Sequence, residues 1–121
     1  MAKRVITVDD SRTMREMVSF TLKGAGYEVL EAEDGKDAIA KLASQTVDVV
    51  ITDLNMPNMN GIELIRALRA DARFKFTPIL MLTTESDDSK KGEGKAAGAT
   101  GWLVKPFNPE KLIQTVQKVA G

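Results

Sequence analysis

The chain contains no cysteine and no histidine, and these two gaps narrow its chemistry sharply. Without cysteine there is no disulfide, no thiolate metal site and no thiol nucleophile. Without histidine there is no serine-histidine triad, no imidazole general base and almost no route to a zinc centre. Charge of one sign is lacking too: Lys plus Arg equals Asp plus Glu at 17 each. No overall field therefore draws the chain toward nucleic acid or anionic lipid, and direct nucleic-acid binding is not expected. Apolar runs long enough to cross a bilayer, roughly 20 residues, are missing, as is a signal-peptide segment at the start, so a cytoplasmic protein without membrane insertion is expected. What remains for chemistry is carboxylates, hydroxyls, amines and a hard cation.

At 121 residues the chain suits one domain, spanning 1–121, with 43% apolar and 28% charged residues as in an ordinary globular protein. Five short apolar runs recur, at Val5–Val8, Glu28–Leu30, Val49–Thr52, Ile79–Thr83 and Gly101–Val104. They are strand-length and mostly continuous rather than alternating, which predicts strands covered on both faces. Between them lie stripes at helical spacing: Met14, Met17, Val18 and Leu22; Ala38, Ile39, Leu42 and Ala43; Ile62, Ile65 and Leu68. The last helix is predicted from Asn108 as cap and Pro109 at its first position, followed by Leu112, Ile113, Val116, Val119 and Ala120. Ser11, Asp34 and Asn60 are read as caps that open helices, and Gly24 and Gly26 as closing the first. Ser86–Ala97 reads as the weakest helix, because Gly92 and Gly94 each cost about 1 kcal/mol relative to alanine and only Ala96 and Ala97 are there to bury. Strict strand-helix alternation predicts an α/β fold, a parallel sheet with helices on both faces.

In such sheets the ligand crevice lies beyond the carboxyl ends of the strands. Those ends carry Asp9-Asp10, Asp53, Thr83-Thr84-Glu85 and Lys105-Pro106. Carboxylates brought together repel unless positive charge sits among them, and Lys105 supplies a single unit. A divalent cation is the natural remedy, and with oxygen ligands only, Mg²⁺ is favoured over zinc or copper. A carboxylate beside Mg²⁺ can attack a phosphoryl group. Asp53, alone at the end of a central strand, is the candidate nucleophile; Asp9 and Asp10 would hold the cation, while Lys105 and Thr83 would engage phosphoryl oxygens. Each residue also has a plain reading: Asp9-Asp10 as a cap or turn, Asp53 as the start of a loop, Thr83 as a strand-end hydroxyl, Lys105 as a solvated amine. Their conjunction is far more specific than any one of them.

The set of Asp9-Asp10, Asp53 with Met56-Pro57 and Gly61 downstream, Thr83, and Lys105-Pro106-Phe107 resembles the receiver domains of two-component response regulators, over the whole chain. The single-domain chemotaxis regulators are the most similar branch. The resemblance implies a flavodoxin-like five-stranded sheet in the order 2-1-3-4-5 with five helices, and a phosphoryl group accepted on Asp53. It implies Mg²⁺ held by Asp10, Asp53, the backbone carbonyl of Asn55 and water, with Asp9 acting partly through water. Asn55 and Glu85 would tune dephosphorylation, and the Lys105-Pro106 bond would be cis. Thr83 and an aromatic at position 102 would form the switch. That aromatic is Trp102, where tyrosine or phenylalanine is more usual, which leaves open whether the indole swings inward or stands as a fixed surface anchor.

The expected function is therefore a phosphorylation-activated regulator rather than an enzyme acting on a separate substrate. The donor would be a sensor histidine kinase of the CheA-like type, with acetyl phosphate as a small substitute. The output would be a phosphorylation-dependent target protein, with the flagellar motor switch as candidate, and the regulator itself a monomer. A phosphoryl sink or relay carrier, and a receiver fragment of a larger kinase or transcription factor, are the alternatives. Met1-Ala2-Lys3 and a complete last helix favour a whole regulator over a fragment. Asn55 stands where aspartyl-phosphate phosphatases need a second acid. Asp9-Asp10-Ser11 stands where a dinucleotide enzyme needs glycines, and no phosphate-binding G-x-x-x-x-G-K-[ST] loop is present.

Overall fold

A computed structural model of the chain describes residues 2–120. Its elements run β1 (Arg4–Val8), α1 (Arg12–Gly24), β2 (Glu28–Ala32), α2 (Gly35–Leu42), β3 (Val49–Thr52), α3 (Gly61–Arg69), a short 3₁₀ turn (Ala72–Phe74), β4 (Ile79–Thr83), α4 (Asp88–Ala97), β5 (Gly101–Val104) and α5 (Pro109–Ala120). All strand pairs are parallel, and the sheet order is β2-β1-β3-β4-β5, as expected.

Alternate residues along each strand feed opposite sides of the sheet. Ile6, Val8, Val50, Ile79 and Met81 pack with Ala38, Leu42, Ile62, Leu64, Ile65 and Leu68, so α2 and α3 cover one face. Val5, Val49, Ile51, Leu80 and Leu82 pack with Val18, Leu22, Leu112 and Val116, so α1 and α5 cover the other. The three central strands are buried along nearly their whole length, which is why their sequences run apolar without alternation. The two outer strands depart from the expectation of coverage on both faces: β2 is partly exposed over Glu28–Glu31, and Val104 at the end of β5 is open to solvent. An outer strand has a neighbour on one side only, so the helices cannot wrap it fully.

The caps fall where the sequence places them. Ser11 accepts from the backbone N–H of Met14, Asp34 from Asp37 and Asn108 from Lys111. Asn60 and Glu63 form a reciprocal capping box, and Gly26 takes the left-handed φ of 95° that ends the turn after α1. Several apolar assignments need correction. Met17, Ile39 and Ala43 are exposed, because the buried stripe of each helix is narrower than the hydrophobic spacing suggests. In α4 the buried residue is Gly94; Ala96 is exposed and Ala97 half-buried. Leu64, absent from the expected stripe of α3, is fully buried.

A 3₁₀ turn at Ala72–Phe74 interrupts the strand-helix alternation between α3 and β4. It opens on Asp71, whose carboxylate accepts from the N–H of Arg73, and it drives Phe74 into the core at 1% exposure. The Arg69 guanidinium at the end of α3 gathers the turn, donating to the carbonyl oxygens of Phe74, Thr77 and Gly98. No helix among the described residues is long and apolar enough to cross a membrane. Truncating Phe74 to alanine should lower the unfolding free energy by about 3–5 kcal/mol, since a full aromatic ring leaves a cavity among α2, α3 and β4 that rigid neighbours cannot fill. Urea denaturation of Phe74→Ala reads this directly, and a loss under 1 kcal/mol, taken as the scale of a surface change, would mean the ring is not a core element.

Candidate functional site

The site is assembled by strand register. Val8 pairs with Thr52 and with Ala32, so the residues that follow leave the sheet side by side. The N–H of Asp53 bonds to the carbonyl of Val8, the N–H of Asp9 to Ala32, and the N–H of Lys105 to Thr83. The sheet order reverses between β1 and β3, and it is at such a switch point that open α/β sheets form their crevice.

Asp9, Asp10 and Asp53 each present a carboxylate oxygen within 4.8 Å of the others. Asp9 and Asp53 are buried, and Asp10 is exposed at the rim. Lys105 lies between the two buried acids, its ammonium donating to Asp9 Oδ2 at 2.7 Å and to Asp53 Oδ2 at 3.0 Å. The other oxygens are also held: Asp9 Oδ1 accepts from the N–H of Ser11 and Asp53 Oδ1 from the N–H of Leu54. Each buried carboxylate is thus fastened at both ends by groups that favour its charged form.

Burial dominates the electrostatics of Asp9 and lifts its pKa above the usual 3.8, although the hydrogen bonds from Lys105 and Ser11 pull the other way. For Lys105, burial would lower the pKa, but the hydrogen bonds and charges of Asp9 and Asp53 together outweigh it and hold the ammonium above 10.5. Lys105 therefore keeps its charge at neutral pH where it lies between the two buried acids.

A hard cation fits this arrangement. Asp9, Asp10 and Asp53 bring their carboxylate oxygens close enough together that they would serve as ligands to one Mg²⁺. The donor set is entirely oxygen, which disfavours zinc or copper.

Thr83 is fully buried at the end of β4, its Oγ1 accepting from the N–H of Glu85 at 3.3 Å. The carbonyl of that same Glu85 accepts from the indole Nε1–H of Trp102 at 2.9 Å. The backbone of Glu85 thus joins Thr83 to Trp102, and the bulk that made position 102 uncertain has found its polar partner. The Glu85 carboxylate stays outside the acidic cluster and accepts instead from the N–H of Asp87. Asn55 is exposed two residues beyond Asp53, and Lys105-Pro106 is cis.

Two contributors escaped the sequence. Arg15, on the first turn of α1, donates to the backbone carbonyl of Asp9 at 2.6 Å and pairs with Glu31 of β2 at 3.5 Å, steadying the loop that carries both acids. Only the adjacency of β2 to β1 brings those partners together. Gly61 is the second: a Cβ there would collide with the backbone carbonyl of Asp53, so α3 starts close against the residue it follows. Met56-Pro57 and Gly61 are readable as a motif, but not that contact.

The family profile described as the response regulator receiver domain matches residues 5–117. A chemotaxis protein, CheY1, of Helicobacter pylori is 45% identical over 98% of this chain and 97% of its own length. The structure of the chemotaxis response regulator CheY4 of Vibrio cholerae superposes with a TM-score of 0.93 at 57% identity, over 98% of this chain and 99% of that one. A receiver domain from the sensor histidine kinase PA1611 of Pseudomonas aeruginosa, with a magnesium ion coordinated in its active-site cleft, matches at a TM-score of 0.92 and 25% identity, over 100% and 99% of the two chains.

Lys105→Met should lower the unfolding free energy at neutral pH by about 1–3 kcal/mol, because two buried carboxylates lose their shared donor. Its raised pKa also sets a sign. Stability from the ammonium is complete below the unfolded value of 10.5 and is lost as pH climbs through the higher folded value, so Lys105→Met should erase that alkaline component. Urea midpoints recorded from neutral to alkaline pH test both parts; parallel curves for the two proteins would contradict the pairing.

Proposed function

Since the chain belongs to the response regulator receiver family, we propose that it is a switch phosphorylated on Asp53. One observation carries this reading: the Lys105 ammonium sits between the buried Asp9 and Asp53 carboxylates, with a third acid, Asp10, at the rim. An oxygen of Asp53 forms the new bond to phosphorus while the donor's bond to phosphorus breaks, and the leaving imidazole or acetate departs with that electron pair. Asp10, Asp53 and the backbone carbonyl of Asn55 would hold Mg²⁺, with Asp9 beside them in the acidic cluster. When bound, the cation neutralises charge on the phosphoryl oxygens. Lys105 turns from the carboxylates to a phosphoryl oxygen, and the Thr83 hydroxyl donates to another. Asn55 and Glu85, two residues beyond Asp53 and Thr83, tune how fast water removes the phosphoryl group.

The switch follows from the chain of hydrogen bonds through Glu85. As Thr83 turns toward the phosphoryl group it stops accepting from the Glu85 N–H, and the loop bearing the carbonyl that holds Trp102 is released to move. Chemotaxis is the pathway favoured by the Helicobacter and Vibrio relatives. The donor is then a CheA-like sensor histidine kinase, and the output is a target protein bound through the switched surface, such as the flagellar motor switch. The chain acts as a single receiver domain and a monomer in the cytoplasm, without binding nucleic acid or entering the membrane, and catalyses only its own phosphoryl transfer and dephosphorylation.

Asp53→Asn is expected to abolish Mg²⁺-dependent labelling by radiolabelled acetyl phosphate. Undiminished labelling of that variant would refute the assignment. In a pull-down with beryllium fluoride bound as phosphate mimic, a partner other than a kinase or phosphatase should be retained. Recovery of histidine-containing phosphotransfer partners alone would instead favour a phosphoryl sink.

A further inference from the structure

The two glycines that make α4 look weak in sequence occupy different surroundings. At Gly92 an added Cβ would meet nothing within 4 Å. At Gly94 it would come 2.7 Å from Cζ3, 3.3 Å from Cε3 and 3.8 Å from Cη2 of the Trp102 indole. Gly94 is also the buried residue of α4. The six-membered ring of the indole therefore lies in the volume that a side chain at 94 would take.

Neither partner is free to yield. The opposite edge of the indole is tied by Nε1–H to the carbonyl of Glu85 at 2.9 Å. The C-terminal end of α4 is tied as well: the N–H groups of Gly98 and Ala99 bond to the Gly94 carbonyl, and Arg69 grips the Gly98 carbonyl through two nitrogens at 3.1 and 2.9 Å. The helix cannot back away at that end without breaking the Arg69 contacts, so a methyl group at 94 must be answered chiefly by the indole. Leaving its position strains or breaks the bond to Glu85, the residue whose N–H bonds to the Thr83 hydroxyl.

We propose that Gly94 is a positioning residue: the missing Cβ is the seat of the Trp102 indole, and that seat sets how far the indole already read as part of the switch can move when Asp53 is phosphorylated. The second clause rests on the reading of Asp53 given above; the first stands on the packing alone. The seat also gives the indole a specific reason to differ from smaller aromatics at this position, because its second ring fills space that glycine vacates. Helix propensity does not explain the pair, since Gly92 weakens α4 as much as Gly94 does and touches nothing.

Gly92→Ala and Gly94→Ala in the full chain separate the two effects, because both gain helix propensity and only the second meets the indole. Trp102 is the only tryptophan, so its emission and acrylamide quenching report the seat directly. Gly94→Ala should shift the emission to longer wavelength and raise quenching, moving the balance between seated and unseated indole on the order of tenfold, the usual cost of overpacking a filled site. It should also lose the emission change that Mg²⁺ with beryllium fluoride produces in the unaltered protein. Gly92→Ala should match the unaltered protein in emission, in quenching and in the response to the phosphate mimic. A spectrum of Gly94→Ala indistinguishable from the unaltered one, or an equal shift in Gly92→Ala, overturns the seat. An unaltered protein whose emission ignores the phosphate mimic overturns the link to phosphorylation.

Stability gives a second readout that survives a poorly folded variant. Gly94→Ala should lower the urea midpoint next to Trp102 but raise it in a Trp102→Phe background, where the smaller ring leaves room. The same sign in both backgrounds would count against the seat. Labelling of Asp53 by acetyl phosphate in the unaltered chain is read in parallel. Its failure sinks the phosphorylation reading, while the contrast between positions 92 and 94 in the free chain still decides the packing claim.

Discussion

The ammonium of Lys105, set between two buried carboxylates, is the interaction on which the rest of the site depends. Asp9, Asp10 and Asp53 come from the ends of two neighbouring strands, and like charges so close would spread apart or take up protons without a positive partner. One lysine from the outermost strand supplies that partner, reaching back across the edge of the sheet to acids far away in sequence. Three carboxyl groups share that single ammonium, and their oxygens form a rim that a hard cation fits.

The sheet makes this meeting possible and fixes its geometry. Backbone bonds from Asp53 to Val8, from Asp9 to Ala32 and from Lys105 to Thr83 extend the ladder one step beyond the strands, so that each functional residue leaves a rigid element at a defined height. Apolar residues on both faces anchor the three central strands between two separate cores. Rigidity there is matched by looser construction at the periphery, where α4 carries two glycines and little apolar surface. A receiver of this kind would need both a fixed place for chemistry and a side chain that can take two positions against its neighbours. The link between them is short, since one residue, Glu85, bonds to Thr83 with its N–H and to Trp102 with its carbonyl.

Much of the fold was legible because its signals are local. Continuous apolar runs marked the strands, and Ser11, Asp34, Asn60 and Asn108 marked helix starts by bonding to backbone only a few residues away. What was missed depended on distant partners. Phe74 becomes a core residue only because a 3₁₀ turn bends it inward beneath α3, and Arg69 finds its carbonyl partners in the turn and at the end of α4. Met17 and Ile39 sit at helical spacing yet face solvent, since spacing tells which side of a helix is apolar but not how much of that side a neighbour covers.

By itself the sequence determined the α/β alternation, the chemistry open to a chain without cysteine or histidine, and the residues waiting at the strand ends, because each follows from residue type and local order. Tertiary structure alone decided that Lys105 bridges Asp9 and Asp53, that Arg15 braces the loop carrying the acids, and that Gly94 is the floor beneath Trp102 rather than a flaw in a helix. The physical reason is the same in each case. These contacts join elements that are neighbours in the folded sheet and strangers along the chain, and no periodicity or cap encodes the distance between two side chains that only folding brings together.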